Sequence, residues 1–477
     1  MRSLFALVPA ALLAGCMVGP NYSRPPALSE RSLKLREADL PGITASPLPP
    51  HWWRLFDDAN LDRLVEKALV HNTDLRRAAA NLQRARAALS ETHAAELPTG
   101  EASASYTHER TGGALAAAGR PAAESDFFAL GFDASYEIDL FGGVARSVQA
   151  ARADVETAQA EVDAARVSVA AETARSFASA CSFGDRVAVA RETVELQAKS
   201  LDITGRLVSG GRGNERDLLQ ARALYEETRA KVPTLEAERR AALYALAVLT
   251  GDPPADLDAA TDQCTKAPSV EQAIPVGDGE ALLARRPDVR AAERKLAADV
   301  ARIGVATAEL YPRITLFGLV SLGAPKIGDL GNSQSVGFSM GPMMSWNFPF
   351  NGAARARVRE ARATADGSLA AFDGTVLHAL QETEQALARL GGTVQREDAL
   401  ANAAAASERA AELTQIRYRA GSDSFLQLLV AERDRAAARA SLAEARAQRA
   451  DAQVSLFKAL GGGWEEAPDV ATKAAAK

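Results

Sequence analysis

The most regular pattern of apolar and polar positions runs from residue 143 to residue 208. No proline interrupts this stretch, and charged residues occupy the positions between its apolar residues. Small apolar residues recur at alternating steps of three and four: Val148, Ala151, Val155, Ala158, Val162, Ala165 and Val169. This heptad pattern predicts a single helix of roughly 100 Å, at ~1.5 Å per residue. An ordinary core helix is excluded, because helices of globular domains average ~11–12 residues.

The same organisation occurs twice along the chain. Corresponding landmarks lie about 210 residues apart, which indicates one internal duplication rather than a short-period solenoid. The landmark pairs are Pro98 and Pro312, Arg146 and Arg355, Gly211 and Gly421, and Gly251 and Gly461. Each half is predicted to contain a helix, a strand hairpin, a long helix, a turn and a returning helix. In the first half the opening helix is expected over about 60–96, because Pro98 ends the pattern.

Between the helices lie segments in which apolar and polar residues alternate with a period of two. Strands are expected at about 99–109, 126–140, 312–322 and 334–348, and 126–140 alternates most clearly. Strands of about ten residues that are apolar outside and polar inside are typical of outer-membrane barrels. A half-buried soluble sheet is the alternative. Four strands cannot close a barrel, and open edges are not tolerated in lipid, so we expect several copies to pool their strands; three copies supply about twelve.

The first residues predict export and lipid anchoring. Arg2 is followed by an apolar run that is too short to span a membrane, and residues 1–15 are expected to be a signal peptide. The run ends in Leu13-Ala14-Gly15-Cys16, which resembles the lipobox of bacterial lipoproteins. Cys16 is therefore the expected lipidation site, and an incidental cysteine at a generic cleavage site is the alternative. Because Met17 follows rather than an aspartate, the outer membrane is favoured.

Composition and the absence of several motifs exclude further classes of function. A net charge of −6 and a pI near 5.7 argue against nucleic acid as a partner. We identify no phosphate loop, nucleotide site or metal cluster, so no cofactor is expected. Cys181 and Cys264 are predicted either to form a disulfide or to be two buried free thiols. Ser339 lies in a G-x-S-x-G sequence, but inside an alternating segment rather than the strand–turn–helix that a hydrolase needs.

These observations predict a mainly α protein with a membrane β portion. The expected organisation is a signal peptide (1–15), a lipidated extended strap (16–50), a first repeat (51–251), a proline-rich equatorial linker (252–280), a second repeat (281–461) and a flexible tail (462–477).

A series of short motifs, in order along nearly the whole mature chain, resembles the TolC-like outer-membrane efflux factors. The match is to their lipoprotein branch, the outer-membrane subunits of RND-type tripartite efflux systems. The motifs include Cys16 with Gly19-Pro20-Asn21-Tyr22, Trp52-Trp53, Asn72-Thr73-Asp74-Leu75, Asp139-Leu140-Phe141-Gly142-Gly143, Arg286-Pro287-Asp288-Val289-Arg290, Tyr311-Pro312 and Leu460-Gly461-Gly462-Gly463-Trp464.

This resemblance implies a homotrimer with a twelve-stranded barrel in the outer membrane and a helical tunnel through the periplasm. It also implies a passive conduit, not an enzyme, that carries small molecules such as drugs and toxic compounds. A periplasmic adaptor would dock at the turns that contain Gly210, Gly211 and Gly421, and an inner-membrane RND-type pump would supply the cargo. Outer-membrane lipid would surround the barrel. The alternatives are a periplasmic coiled-coil tethering lipoprotein and a duct for type I protein secretion.

The resemblance further implies a constriction at the periplasmic tip. Leu426 would form an apolar ring there, and ordinary helix-pair packing is its alternative role. The family often has an aspartate where this chain has Val430, and this departure removes a ring of charge at that position. Asp217 and Asp423 could supply the missing charge.

Overall fold

The computed structural model describes residues 17–25, 33–37, 40–111, 123–256, 263–348 and 352–470. Cys16 and the signal peptide lie outside the described residues. The helices are α1 (Ala59–His71), α2 (Thr73–Ala94), α3 (Gly143–Ser209), α4 (Glu215–Thr250), α5 (Gly279–Arg285), α6 (Pro287–Ala308), α7 (Ala353–Arg419) and α8 (Phe425–Ala459). The strands are β1 (Ile43–Thr44), β2 (Thr99–Thr111), β3 (Ala123–Ile138), β4 (Ile274–Pro275), β5 (Arg313–Ala324) and β6 (Val336–Ser345).

The long helix predicted in each half is confirmed. Helices α3 and α7 contain 67 residues each, so each is about 100 Å long at ~1.5 Å per residue. Val148, Val162 and Val169 of the heptad pattern are buried. The returning helices α4 and α8 begin after Asn214 and Ser424, whose side chains accept hydrogen bonds from first-turn backbone N–H groups.

No helix among the described residues combines the length and the apolar character needed to cross a bilayer.

The single helix expected over 60–96 is wrong, because the chain forms two helices that meet at Asn72. The side-chain oxygen of Asn72 accepts hydrogen bonds from the backbone N–H groups of Asp74 (2.8 Å) and Leu75 (3.2 Å). Its amide nitrogen donates to the carbonyl of Leu249 at 3.0 Å. Asn72 therefore ends α1 and caps α2. In the second half, Arg286 and Pro287 make the corresponding break between α5 and α6.

Four strands form one antiparallel sheet in the order β2-β3-β5-β6. β6 ends at Ser345, three residues before the expected end of the segment 334–348. The last pair of the ladder joins Ser345 to Arg313. Pro312 precedes Arg313 and has no N–H to donate, which explains why the ladder stops there.

The chain divides into two compact units. The described parts of the first are 17–25, 82–111, 123–158, 291–348 and 352–372. In this unit the start of the predicted strap is held by the buried Arg146, whose guanidinium donates to the Val18 carbonyl (3.1 Å) and to Asn21 Oδ1 (2.8 Å). Gly19 has a φ of +86°, and a Cβ there would lie 2.5 Å from the Cα of Gly304. Glycine is therefore required for the strap to approach α6 this closely.

The second unit comprises the described residues of 26–81, 159–290 and 373–477. Its core is aromatic: Trp52 stacks on Phe457 with ring centroids 4.8 Å apart, and both side chains are fully buried. A two-residue parallel pairing of β1 with β4 joins the strap to the linker, which the sequence did not predict. The linker packs on α3 where Gly184 lies, since a Cβ there would be 2.3 Å from the Cys264 carbonyl oxygen.

Candidate functional site: the strand sheet and the helix-turn tips

One face of the four-stranded sheet is apolar along most of its length. The pairing places Phe132 of β3 beside Ala102 of β2 and Val320 of β5, and Val320 beside Phe338 of β6. Within one chain these large side chains are exposed, with Phe132 at 57 % and Phe338 at 78 %. The predicted alternation is confirmed, and the sheet presents a broad apolar surface that the described residues of one chain do not cover.

The height of this apolar surface matches a lipid bilayer. Phe128 and Ile138 lie ten positions apart on β3, which at ~3.3 Å per residue and a tilt of ~40° corresponds to roughly 25 Å. At one end Tyr106 lies against Phe128, with centroids 4.9 Å apart, and the charged side chain of Asp126 lies beyond them. At the other end, Phe141 stacks on Tyr311 at 4.6 Å. Aromatic residues at both rims of such a band are typical of membrane barrels.

The opposite face of the sheet is mixed, and both outer strands lack a partner strand among the described residues. It carries charged residues such as Glu101, Asp133 and Glu137, together with some apolar ones. Among the described residues, β2 pairs only with β3, and β6 pairs only with β5. Unpaired backbone N–H and C=O groups cost several kcal/mol each in hydrocarbon. The sheet of one chain is therefore incomplete in a membrane, and strands of further copies must continue it.

Ser339 of the hydrolase-like sequence lies inside β6, paired with Leu319 of β5. The strand–turn–helix of a nucleophile elbow is not present at this serine.

At the C-terminal ends of α3 and α7, the two helix turns share one hydrogen-bond pattern. Gly211 and Gly421 adopt left-handed conformations, with φ of +69° and +75°. In the first turn Arg212 N donates to the Leu207 carbonyl, and in the second Ser422 N donates to the Arg417 carbonyl, both at 2.9 Å. This is the glycine-terminated helix end known as the Schellman motif. No atom lies within 4 Å of a Cβ built at either glycine, so both turns are open to a partner.

The predicted constriction residues are exposed. Leu426 is 62 % and Val430 is 49 % exposed, whereas Phe425 and Leu428 face the helix packing and are buried. Among the described residues of one chain, Leu426 is therefore not buried between paired helices. Leu426 and Val430 line a cavity of about 410 Å³ beside Ala410 of α7.

The two aspartates considered as substitutes for the missing gate charge have different surroundings. Asp423 is held by Arg417, whose Nε lies 2.9 Å from Oδ1, so its charge is compensated within the chain. Asp217 is half-buried in the first turn of α4. Burial raises the pKa of the Tyr418 hydroxyl, and the charge of Asp217 raises it further, while a hydrogen bond with Thr204 opposes both. Tyr418 thus links α7 to α3 near the tip.

A charge network with a buried centre, next to the tip, was not anticipated from the sequence. Arg435 donates to Glu432 at 2.5 Å, and both residues are buried. Arg435 also lies 3.5 Å from Glu408, and Arg439 connects Glu408 (2.9 Å) to Glu192 (3.0 Å). Burial raises the pKa of Glu432 and the Glu408 charge adds to this, while Arg435 opposes it. Helical spacing brings Glu432 and Arg435 together, but the contacts with α3 and α7 are not readable from sequence.

Cys181 and Cys264 form a disulfide in the structure, with their sulfur atoms 2.09 Å apart. This arrangement differs from the alternative of two free thiols and ties the linker to α3. In the described part of the chain, no group of three or more His, Cys, Asp or Glu side chains is placed to hold a metal ion.

Comparison with known proteins places this geometry in a family. The family described as "Outer membrane efflux protein" matches residues 64–252 and 279–462, that is, both halves of the duplication. Outer membrane protein OprJ of Pseudomonas aeruginosa is 31 % identical over 461 residues, covering 97 % of this chain and 96 % of OprJ. Nodulation protein T of Rhizobium leguminosarum bv. viciae is 31 % identical over 471 residues, covering 98 % and 95 %.

A solved structure agrees over almost the whole chain. The outer-membrane channel OprN has a TM-score of 0.88 and 35 % sequence identity, covering 94 % of this chain and 100 % of OprN. In this architecture the long helices form a periplasmic tunnel, and three protomers with four strands each form a twelve-stranded barrel. The incomplete sheet, its apolar band and the duplicated long helices are thereby explained together. The chain belongs to the outer membrane efflux protein family, and it is a TolC-like outer-membrane channel of the tripartite efflux type.

Proposed function

We propose that this channel is a passive conduit for small molecules, including drugs and toxic compounds. An RND-type pump in the inner membrane and a periplasmic adaptor deliver the cargo and supply the energy, and the channel itself performs no catalysis. The incomplete apolar sheet is the main support for this proposal, because a protein that only tethered two surfaces would not need membrane strands that other copies must complete.

The adaptor docks at the two turns that contain Gly210, Gly211 and Gly421. Two observations support this docking site: both turns have the same hydrogen-bond pattern, and both have open space around their left-handed glycines, Gly211 and Gly421. Three copies would thus present six similar turns to an adaptor.

Leu426 and Val430 form an apolar constriction at the tip, rather than an acidic one. Both side chains are exposed in one chain, and Asp423 is already paired with Arg417. Three copies around an axis could bury these apolar side chains against one another in the closed state.

A lipid on Cys16 anchors the chain in the outer membrane. The position of Met17 in the strap supports this role, because Met17 lies against Gly142, just after the membrane-facing strand β3. The residue next to Cys16 is thus held at the membrane end of α3. Stable anchoring needs more than one acyl chain, which lipoproteins of this kind carry.

Conductance of the purified protein in planar lipid bilayers tests the conduit. We expect discrete channels, and a tethering protein would give none. To separate small-molecule efflux from protein secretion, a deletion strain should become sensitive to small toxic compounds while its secreted proteins remain unchanged.

The docking turns are tested with Gly421→Arg, and Gly42→Arg is the matched control. Gly42 has a similar φ of +85° and equally open surroundings, but it lies beside β1 rather than at a tip. Gly421→Arg should abolish resistance in cells while the trimer remains, and Gly42→Arg should not. Equal resistance of the two variants would exclude this turn as a docking site.

A further inference from the structure

In the second unit, helices α3, α7 and α8 have one face that other segments cover and an opposite face that the described residues leave uncovered. Phe177 of α3, Leu387 of α7 and Phe457 of α8 are fully buried in the core that contains Trp52 and Val270. The segments 40–56 and 263–278 therefore cover one side of these three helices. At ~100° per residue, side chains two positions from these buried ones point to the opposite side.

The uncovered side contains a cleft of about 670 Å³ between the same three helices. This volume lies within the ~300–1,000 Å³ of ligand sites for drug-sized molecules. Its charged lining consists of four arginines and two acids: Arg175, Arg186, Arg389, Arg396, Glu444 and Asp451.

Among the described residues, only Arg175 of these four arginines is ion-paired with a carboxylate. Arg175 is 2.8 Å from Asp451, and it also bonds Glu172. In the part of the chain that the structure describes, no carboxylate oxygen lies within 4.0 Å of the other three guanidinium groups. Arg396 donates to the neutral amide of Gln448 at 2.7 Å.

An aromatic ring completes the lining. The Arg186 guanidinium lies over the ring of Phe183, 5.1 Å from its centroid. Phe183 is half-buried and lines the cleft, so it offers an apolar surface beside the unpaired cations. Between Arg389 and Arg396, Gly392 has no atom within 4 Å of a built Cβ, which leaves this side of the cleft open.

We propose that this cleft binds organic anions in which a carboxylate, sulfonate or phosphate is attached to an apolar ring. Arg389 and Arg396 would hold the anionic group with charge-assisted hydrogen bonds, and the ring would lie against Phe183. A cation of the same shape would be repelled by the unpaired guanidinium groups.

This inference rests on the proposed function for its meaning in transport. In a helical wall around a duct, the side covered by the segments 40–56 and 263–278 lies outside, because these segments would otherwise fill the duct. The uncovered side then faces the cargo. The cleft is thus a binding site on the export path that favours anionic cargo.

Equilibrium binding to the purified protein in a non-ionic detergent tests the proposal. The probe is naphthalene-1-sulfonate, and 1-naphthylmethylammonium is the cation with the same ring. We expect saturable binding of the sulfonate, with an affinity at least about tenfold above that of the ammonium compound. Arg389→Gln and Arg396→Gln should each weaken sulfonate binding about tenfold, and added salt should weaken it further.

Gly392→Trp gives an independent test, because it fills the cleft without removing a charge. Gly374→Trp is its matched control, since Gly374 lies in the same helix and also has no atom near a built Cβ. We expect the first variant to lose sulfonate binding and the second to retain it.

Equal binding of the two probes, or unchanged sulfonate binding in the arginine variants and in Gly392→Trp, would overturn the anion site. The oligomeric state and conductance of the same preparations separate this failure from a failure of the conduit. Intact conducting trimers without sulfonate binding would refute the cleft alone, whereas absence of channels would refute the proposed function.

Discussion

Replacing Leu426 with alanine should open the tip. Leu426 lies in the first turn of α8 and is 62 % exposed in one chain, so its side chain remains available for contact with the other protomers. If three copies meet at the axis, the closed state buries this apolar surface and the open state returns it to water.

The size of the effect follows from the exposed fraction. Complete burial of a leucine side chain stabilises by about 1.5–3 kcal/mol. Burial of the 62 % that is exposed would contribute roughly 1–2 kcal/mol per protomer, or about 3–6 kcal/mol for three. Because ~1.4 kcal/mol is a factor of ten, the variant should shift the equilibrium between closed and open tips by about two to four orders of magnitude.

Single-channel recording in planar bilayers measures this shift as the fraction of time spent in the high-conductance state. Leu219→Ala is the matched control, because Leu219 is a similarly exposed leucine (55 %) near the start of α4. We expect a large increase for Leu426→Ala and little change for Leu219→Ala. Unchanged conductance of Leu426→Ala would remove this residue from the gate.

Three further predictions concern charges and covalent links. Arg435→Ala should leave Glu432 buried and unpaired, lower the free energy of unfolding by about 3–5 kcal/mol, and be rescued in denaturant melts by the added change Glu432→Gln. Burial raises the pKa of Asp299, but hydrogen bonds and nearby cations outweigh it and hold this pKa below its usual value. The contribution of Asp299 to stability is therefore full above the pKa of the unfolded state and is lost as the pH falls through the pKa of the folded state. Asp299→Asn should flatten this acid dependence of melting, and an unaltered pH profile would contradict it. Cys181→Ser should prevent the bond to Cys264, change non-reducing gel migration, and cost about 4.5 kcal/mol by the chain-entropy estimate for a separation of 83 residues; an unchanged melting temperature would contradict this.

The sequence predicted features that depend on periodicity. The heptad pattern identified α3, and the alternating pattern placed Phe128 and Ile138 on one face of β3, because both patterns repeat within a single element. Duplication then identified the second set of elements. The break at Asn72 was missed because the apolar pattern continues across it, although its capping bonds to Asp74 and Leu75 are local; only its additional bond to Leu249 joins it to a distant part of the sequence.

The candidate site was predictable only in part, for the same reason. The turn glycines follow from local backbone demands, and Gly421 was identified correctly as a turn residue. The pairing of Arg417 with Asp423 and the network around Glu432 depend on side-chain geometry and tertiary contacts. The anion cleft brings together α3, α7 and α8, so no single segment of the sequence reveals it.

One chain supplies only a third of the strands that close the barrel. Native mass spectrometry of the protein released from mild detergent measures the number of subunits that assemble. We expect a species with three times the subunit mass and no stable monomer, because β2 and β6 each need a neighbouring strand. A stable, folded single subunit under the same conditions would contradict it.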